Sequence, residues 1–218
     1  MHCLVTAGPT FEPLDDVRRL TNFSTGRLGS ELANFLVDRG HDVTLLIGLQ
    51  ATWKGPRRAQ TQTDFTTTAD LLERLRARAD AGLDAVFHAA AVSDFTFGRC
   101  WLDMAGGTRV EVRAAKIPTH AGPLLAELVP TPKILPRLRD WFPTACLVGW
   151  KYEMDGDQSG ALARARQQLA EARTDACVAN GRAYGAGFGL VSAAAHTHLA
   201  DAAALFSALE RLARAQGR

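Results

Sequence analysis

Residues 1–48 read MHCLVTAGPTFEPLDDVRRLTNFSTGRLGSELANFLVDRGHDVTLLIG, and the order of elements in this stretch decides the fold. The apolar run 3–7 ends at Gly8, which is typical of a buried strand followed by a turn. Over 28–39 the apolar residues recur at helical spacing. A second β-branched run at 42–48 completes a strand, a helix and a strand, which is the βαβ unit of a parallel sheet.

The same alternation continues along the chain. A helix that Thr68 or Asp70 could cap precedes a predicted buried strand over 85–92. The later predicted elements are a strand at 146–150, a helix from Ser159 as its cap to Ala172, a strand at 176–179 and a final helix capped by Asp201. This order predicts an α/β fold with a mainly parallel sheet between helical layers. Because no linker, low-complexity tract or repeat interrupts it, we expect residues 1–218 to form a single domain.

The region after Asp94 departs from the alternation. Its pattern weakens until 108–112, where polar and apolar residues alternate as in a half-exposed strand. We therefore expect a small excursion of strand structure inserted into the α/β order. Residues 121–128 could form one or two helical turns, and a short helical pattern follows Pro132.

Composition excludes several classes of protein. The chain has 218 residues, of which 47% are hydrophobic and 22% are charged, as expected of a soluble globular protein. The formal net charge is +2 and the cations are scattered, so nucleic acid is not an expected partner. No apolar run approaches the roughly 20 residues of a membrane span, and no signal peptide is evident. The four cysteines are far apart, which favours reduced thiols and a cytoplasmic location.

Residues 21–29, TNFSTGRLG, place hydroxyls, glycines and a cation immediately before the first helix. Free N–H groups and the helix dipole favour a bound phosphate at such a position. The alternative is an ordinary helix N-cap by Ser24 or Thr25, which is the commoner use of these residues. The preceding connection, 8–22, is longer than most strand-to-helix loops, and its length favours a functional role.

Two other ligand classes have weak support. The glycines form neither a dinucleotide fingerprint nor a Walker A loop, so NAD is not expected. His196 and His198 could place two imidazoles on one side of a strand for a metal, but alternating polar residues on a half-exposed strand are the preferred interpretation.

Blocks of sequence in a fixed order resemble those of phosphopantothenoylcysteine synthetase. The most specific are VTAGPTFEPLDDVR at 5–18 and LTNFSTGRLG at 20–29. The later blocks are AAAVSD at 89–94, AKI at 115–117, LVPTPKIL at 128–135, LVGW at 147–150, AN at 179–180 and GFG at 187–189. Together these blocks span nearly the whole chain.

The resemblance implies a Rossmann-like three-layer domain and a two-step ligase reaction. In that family the carboxylate of 4′-phosphopantothenate attacks the α-phosphate of CTP, or of ATP in the eukaryotic branch, and cysteine then displaces the nucleotide to form an amide. The family also implies Mg²⁺ with the triphosphate, no FMN on this half of the bifunctional enzyme, and a homodimer that completes the site.

The same resemblance assigns site residues by position. Asn22 and Lys116 correspond to catalytic residues. The nucleotide-binding positions are Gly8, Ser24, Thr25, Gly26, Arg27, Ala90, Ala91, Asp94 and Trp150. The substrate-binding positions are Arg18, Asn22 and Asn180. No protein side chain is predicted to bind a metal.

The sequence departs from the family pattern near the chemistry. Ile117 and Pro118 follow Lys116 where bacterial members usually have further lysines, Lys133 stands where an acid is frequent, and Lys151 follows Trp150 where Phe-Ala is common. Two alternatives therefore stay open: a ligase for another acid or amine, and a nucleotide-binding regulatory or scaffold protein without turnover.

Overall fold

The structure is a computed structural model that describes residues 1–79, 81–104, 107–119 and 122–216. Its helices are α1 (Arg27–Asp38), α2 (Thr68–Arg76), α3 (Leu138–Trp141), α4 (Gln158–Ala172) and α5 (Ala202–Gln216), with a 3₁₀ turn at Leu135–Arg137. Its strands are β1 (His2–Ala7), β2 (Phe11–Pro13), β3 (Arg19–Thr21), β4 (Asp42–Gly48), β5 (Thr61–Phe65), β6 (Ala85–His88), β7 (Phe95–Asp103), β8 (Arg109–Glu111), β9 (Leu124–Pro130), β10 (Cys146–Tyr152), β11 (Ala176–Asn180), β12 (Phe188–Val191) and β13 (His196–Leu199). No helix in these ranges has both the length and the apolar character needed to cross a membrane.

The central sheet has the strand order β13-β12-β11-β10-β6-β1-β4-β5. Six neighbouring strands of this sheet, β11, β10, β6, β1, β4 and β5, pair in parallel. Strands β12 and β13 add an antiparallel edge next to β11. The chain builds outward from β1 through β4 and β5, then returns to the other side of β1 through β6. The carboxyl ends of β1 and β6 therefore flank the topological switch point, where ligands bind in open α/β sheets.

Helices cover both faces of this sheet. On one face α1 and α5 pack on Val5, Leu45 and Phe87, and on the other α2 and α3 pack on Leu4 and Leu46. Since successive residues of a strand point to opposite faces and both faces are covered, β1 and β4 are buried over all but their first residue. The predicted α/β Rossmann-like arrangement of three layers is confirmed.

The excursion after Asp94 is a three-stranded sheet of order β8-β7-β9. The prediction of helical turns over 121–128 is wrong for the described part, because Leu124–Pro130 forms β9 and pairs antiparallel with β7. Ala121 lies outside the described residues. Although Leu124–Leu128 contains good helix formers, backbone pairing with β7 outweighs their propensity.

Two of the predicted caps differ from the observed caps by one to three residues. Thr67, not Thr68 or Asp70, caps α2 by accepting from the Asp70 N–H. Asp157, not Ser159, caps α4 by accepting from the Gly160 N–H. The predicted cap of the last helix holds: Asp201 Oδ1 accepts from the Ala204 N–H at 2.8 Å. The strand predicted over 85–92 ends at His88, and the residues after it form a loop.

A buried ion cluster fastens α5 to the beginning of β4. The Glu210 carboxylate is 4% exposed and accepts from His41 Nε2 at 3.0 Å, from Arg214 Nη2 at 3.0 Å and from Arg39 Nε at 3.2 Å. Burial opposes ionisation of Glu210, but the bonds from His41 and Arg214 and the charge of Arg39 outweigh it, so the pKa of the carboxyl is lowered.

We expect Glu210→Gln to lower the free energy of unfolding at pH 7 by about 2 kcal/mol, because three donors lose a charged acceptor. A carboxyl whose folded pKa is lowered stabilises fully above its ordinary pKa of 4.5 and loses that contribution as pH falls through the folded value. The free energy of unfolding, measured in urea, should therefore differ between the original protein and Glu210→Gln at neutral pH, and this difference should become smaller below pH 4.5. Glu73→Gln, at an exposed pair with Arg76, is the control and should change stability by less than about 0.5 kcal/mol. An equal effect of both substitutions would contradict the role of the cluster.

Candidate functional site

A cleft of about 990 Å³ opens at the switch point, and we call it the switch-point cleft. The sequence-predicted site residues that line it are Gly8, Asn22, Ser24, Thr25, Gly26, Arg27, Ala90, Ala91, Asp94, Trp150 and Asn180. They come from segments far apart in sequence, which meet because the carboxyl ends of parallel strands share one edge of the sheet. Arg18 and Lys116 are not among the lining residues, and Arg18 instead bonds to the backbone of Ile117, which follows Lys116.

The N terminus of α1 opens into the cleft without a side-chain cap. Gly26 occupies the N-cap position in the left-handed region with a φ of 77°, and no side chain caps the helix. The capping alternative for Ser24 is therefore not realised, and Thr25 Oγ1 accepts only from the N–H of Arg27 at 3.3 Å. A Cβ on Gly29 would lie 2.6 Å from Ala7 Cβ, so glycine allows α1 to pack closely on β1. The free N–H groups of the first turn suit a bound anion.

The loop after β6 is bonded to the loop after β1. Ala91 N donates to Gly8 O at 2.9 Å, and Thr10 N donates to Ala91 O at 3.1 Å. Asn22 Nδ2 donates to the same carbonyl at 3.1 Å. Asn22 therefore lies where the phosphate-facing segment 22–27 meets the alanine-rich loop.

Two buried polar atoms at strand ends in the cleft lack hydrogen-bond partners within the described ranges. They are the indole Nε1 of Trp150 and the side-chain Oδ1 of Asn180. One is a donor and the other an acceptor, and both residues lie at the carboxyl ends of adjacent strands, β10 and β11. Since an unpaired buried polar group costs about 1–3 kcal/mol, a ligand that pairs with either atom would recover that cost.

A clamp formed by Asp15 and Arg18 holds the loop that carries Lys116. The buried Asp15 carboxylate accepts from the N–H of Ile117 at 3.1 Å and pairs with the Arg18 guanidinium. Arg18 Nη2 in turn donates to Ile117 O at 2.8 Å, while Ala115 O accepts from the Asp16 N–H. The bonds from Arg18 outweigh the opposing effect of burial, and with backbone N–H groups of Ile117, Val17 and Arg18 they hold the Asp15 pKa well below its usual range. Lys116 is exposed between two anchored neighbours.

We expect Asp15→Asn to loosen the clamp. Arg18 and the N–H of Ile117 both donate to one carboxylate oxygen of Asp15, and a carboxamide cannot accept all of these bonds because one of its two terminal atoms is an NH₂ donor. The bond after Lys116 is a trypsin site whose next residue, Ile117, is only 3% exposed. Cleavage there, followed by mass spectrometry under native conditions, should become on the order of tenfold faster. Asp16→Asn is the matched control, since only the backbone of Asp16 contacts the loop. Equal cleavage rates in all three proteins would show that Asp15 does not hold the loop.

His88 is a buried histidine of the cleft that the sequence patterns did not single out. Its ring is 6% exposed, and Nδ1 lies 2.9 Å from the hydroxyl of Thr6. That hydroxyl already accepts from the Ala90 N–H at 3.1 Å. Thr6 is fully buried, so its hydroxyl proton would lack an acceptor, at about 1–3 kcal/mol, unless it were donated to Nδ1. The hydrogen-bond pattern therefore assigns the ring proton to Nε2.

Other cleft residues were also missed as site candidates. Lys133 pairs with the Asp94 carboxylate, and Gln168 Nε2 donates to Trp150 O at 3.1 Å. The departure from the family pattern at Lys133 was a usable signal. Gln168 lies on the predicted α4 with no distinguishing pattern, and His88 reads as one more residue of a buried strand.

The cleft suits a metal that arrives with its ligand. Asp94 and Glu171 are the carboxylates among the cleft-lining residues. No group of three His, Cys, Asp or Glu side chains in the described ranges could hold an ion. This donor set fits Mg²⁺, which is commonly held by one or two carboxylates, water and substrate phosphates. His198 bonds to the Tyr184 hydroxyl at 2.9 Å on β13 rather than joining a metal cluster in these ranges.

The fold and the cleft define a Rossmann-like α/β protein with an uncapped helix N terminus at its switch point. A profile of the DNA/pantothenate metabolism flavoprotein C-terminal domain matches residues 1–215, and the chain belongs to that family.

Known proteins of related sequence come from distant organisms. The coenzyme A biosynthesis bifunctional protein of Thermococcus kodakarensis is 34% identical over 178 residues, which cover 81% of this chain and 40% of that protein. The Bacillus subtilis protein of the same name is 34% identical over 189 residues, covering 86% and 42%. The human phosphopantothenate–cysteine ligase is 29% identical, covering 81% and 71%. The chain thus spans about 40% of the length of the two bifunctional relatives.

A solved structure of a DNA/pantothenate metabolism flavoprotein from Streptococcus pneumoniae superposes with a TM-score of 0.85 at 26% identity, covering 99% of both chains. The agreement extends over the three-layer fold and its inserted strands.

Proposed function

We propose that this chain is a phosphopantothenate–cysteine ligase of coenzyme A biosynthesis, with CTP favoured over ATP. The carboxylate oxygen of 4′-phosphopantothenate attacks the α-phosphorus, and pyrophosphate leaves. The amine of cysteine then attacks the acyl carbon, loses a proton and displaces the nucleoside monophosphate. The observation that carries the proposal is the uncapped N terminus of α1, which opens into the same cleft as the alanine-rich loop in a member of this family.

We assign the residues of the cleft to the two halves of the nucleotide. The segment Ser24–Arg27 and Gly8 border the phosphates, since free N–H groups and the helix dipole stabilise negative charge there. Ala90, Ala91 and Trp150 border the base, and Asp94 borders the ribose. Mg²⁺ bound with the triphosphate would neutralise charge that builds up as pyrophosphate departs.

Substrate binding is assigned to Asn22, Asn180 and Arg18. Asn180 offers an unpaired acceptor at the end of β11, and Asn22 bridges two loops that line the cleft. Arg18 would act next to the loop of Lys116, where its guanidinium is already engaged. These assignments treat residues 1–218 as one synthetase-like unit.

The proposal includes a homodimer, a cytoplasmic location, and no binding of FMN, NAD or nucleic acid. Exposed apolar side chains on the three-stranded sheet and the β2–β3 hairpin, among them Val17, Val110 and Leu128, support association with a second copy. A monomer mass in sedimentation equilibrium at micromolar concentration would reject the dimer.

Burial raises the pKa of the Cys3, Cys146 and Cys177 thiols to about 12, in keeping with reduced, unreactive cysteines.

The test is release of pyrophosphate with each of CTP, ATP, UTP and GTP in the presence of Mg²⁺ and 4′-phosphopantothenate, followed by a search for the amide after cysteine is added. The proposal expects release and amide formation with CTP. Nucleotide binding without release would favour a regulatory protein, whereas release only with another carboxylic acid would favour a divergent ligase.

A further inference from the structure

His88 takes no part in the reaction as proposed, although it lines the switch-point cleft. It ends β6, two residues before Ala90, and lies beside Thr6 of β1 and Gly149 of β10 in the parallel register. The hydroxyl of Thr6 contacts both the His88 ring and the Ala90 N–H. His88 is therefore joined through one side chain to the loop assigned to the base.

We propose that His88 reads the nucleobase by donating its Nε2–H to the unprotonated ring nitrogen that cytosine and adenine carry beside their amino group. The proposal rests on the nucleotide site proposed above and adds a specificity-determining residue to it. Among the described residues only Nδ1 of this ring has a hydrogen-bond partner, which leaves Nε2 for a ligand.

A single donor such as the His88 Nε2–H can distinguish cytosine and adenine from uracil and guanine. Cytosine N3 and adenine N1 are acceptors next to an amino group. The corresponding atoms of uracil and guanine carry a hydrogen and would face the Nε2–H donor to donor. A site built around a buried polar group rejects a ligand that leaves that group unpaired. His88 therefore favours CTP and ATP over UTP and GTP.

The surroundings keep the ring in the form that this selection needs. Burial lowers the pKa of the His88 imidazole to about 4, so the ring is neutral and has a single N–H at neutral pH. The Thr6 hydroxyl occupies Nδ1 and keeps that hydrogen on Nε2. Thr6 is therefore a positioning residue for the donor.

The first experiment needs no substitution. Binding of CTP, UTP and 3-deaza-CTP to the unmodified protein with Mg²⁺ is measured by calorimetry, in parallel with ATP, GTP and 1-deaza-ATP. We expect loss of the ring nitrogen to weaken binding on the order of tenfold, the size of one hydrogen bond. Equal affinity for CTP and 3-deaza-CTP and for ATP and 1-deaza-ATP would overturn the proposal.

The variants then identify the residue that makes the contact. His88→Ala should bind CTP about tenfold more weakly but should not distinguish CTP from 3-deaza-CTP, since the partner of the ring nitrogen is gone. Thr6→Val should lose the preference for CTP over UTP although His88 remains, and Thr6→Ser should keep it. A further tenfold loss with 3-deaza-CTP in His88→Ala would show that another residue reads the base.

These measurements separate the proposal from the ligase assignment, because binding requires no turnover. Selective binding that depends on His88, without pyrophosphate release, would refute the ligase and leave the base contact standing. Ligase activity with an unchanged CTP-to-UTP preference in His88→Ala would refute the base contact alone. Absence of binding by any triphosphate would refute both.

Discussion

Replacement of Lys116 by alanine is expected to slow pyrophosphate release on the order of 100-fold. The first step concentrates negative charge on the triphosphate, and one positioned cation at such a site is worth roughly two orders of magnitude in rate. The loss should appear in single-turnover release of pyrophosphate with saturating 4′-phosphopantothenate.

The ion pairs of the cleft explain why Lys116 matters. Arg27 is paired with Glu31, Lys133 with Asp94 and Lys151 with Glu153. In the described part of the chain, by contrast, Lys116 has no carboxylate partner within 4 Å, and its ammonium is available to phosphate. Ion pairing within the cleft reduces what the other cations can offer, because their charge is already partly neutralised.

The control for this substitution is Lys54→Ala, which removes another exposed lysine outside the cleft lining and should leave the rate unchanged. Lys116→Arg should recover part of the rate, since charge is retained while geometry changes. A normal rate in Lys116→Ala combined with a large loss in Lys133→Ala would move the role to Lys133.

Lys116 does not line the cleft of its own chain. In the proposed homodimer it could serve the partner's cleft. Mixing Lys116→Ala protein with Asn22→Ala protein should then restore amide formation, because a mixed dimer holds one site with both residues intact. No restoration in verified mixed dimers would show that each chain uses its own Lys116.

The regular elements were predictable where hydrophobic periodicity was strong. The predicted α1 and β4 agree with the structure to within one residue because an amphipathic helix and a fully buried strand have distinct patterns. β9 was missed because its residues are mostly exposed and include helix formers, so only its partner β7 determines its state. Such pairing is a property of two segments and cannot be read from one.

The candidate site was predictable to a similar extent and for a similar reason. Turn residues after buried strands mark the cleft, since the strand ends meet at one edge of the sheet. The hydrogen bond from Arg18 to Ile117 O joins residues 99 positions apart, so no local sequence pattern predicts it. His88 was hidden because a single histidine in an apolar run is usually a satisfied core residue, and its neighbour Thr6 is 82 positions away.

Asn22→Ala is expected to form amide on the order of 100-fold more slowly while pyrophosphate release changes by no more than about threefold. The second step requires the amine and the acyl carbon to meet in one geometry, and such positioning is worth at least two orders of magnitude. The first step depends instead on charge stabilisation by the helix N terminus and cations, which Asn22 does not supply.

The position of Asn22 supports this separation of steps. Its side chain is exposed to the cleft and donates to Ala91 O, so it links the phosphate-facing segment to the alanine-rich loop. Alanine removes that link without burying or exposing a charge. The acyl-nucleotide should therefore form and persist until water hydrolyses it.

Intact-mass analysis of the quenched Asn22→Ala reaction would detect the acyl-nucleotide and identify both the acid and the nucleotide from one mass. Asn22→Leu is the comparison variant: it keeps the approximate size of the side chain and adds no charge but lacks the NH₂ donor to Ala91 O, and it should accumulate the same intermediate. Normal amide yield in Asn22→Ala would eliminate its role in the second step. A proportional loss of pyrophosphate release would instead make Asn22 a nucleotide-binding residue, since an interaction needed equally in both steps acts before they diverge.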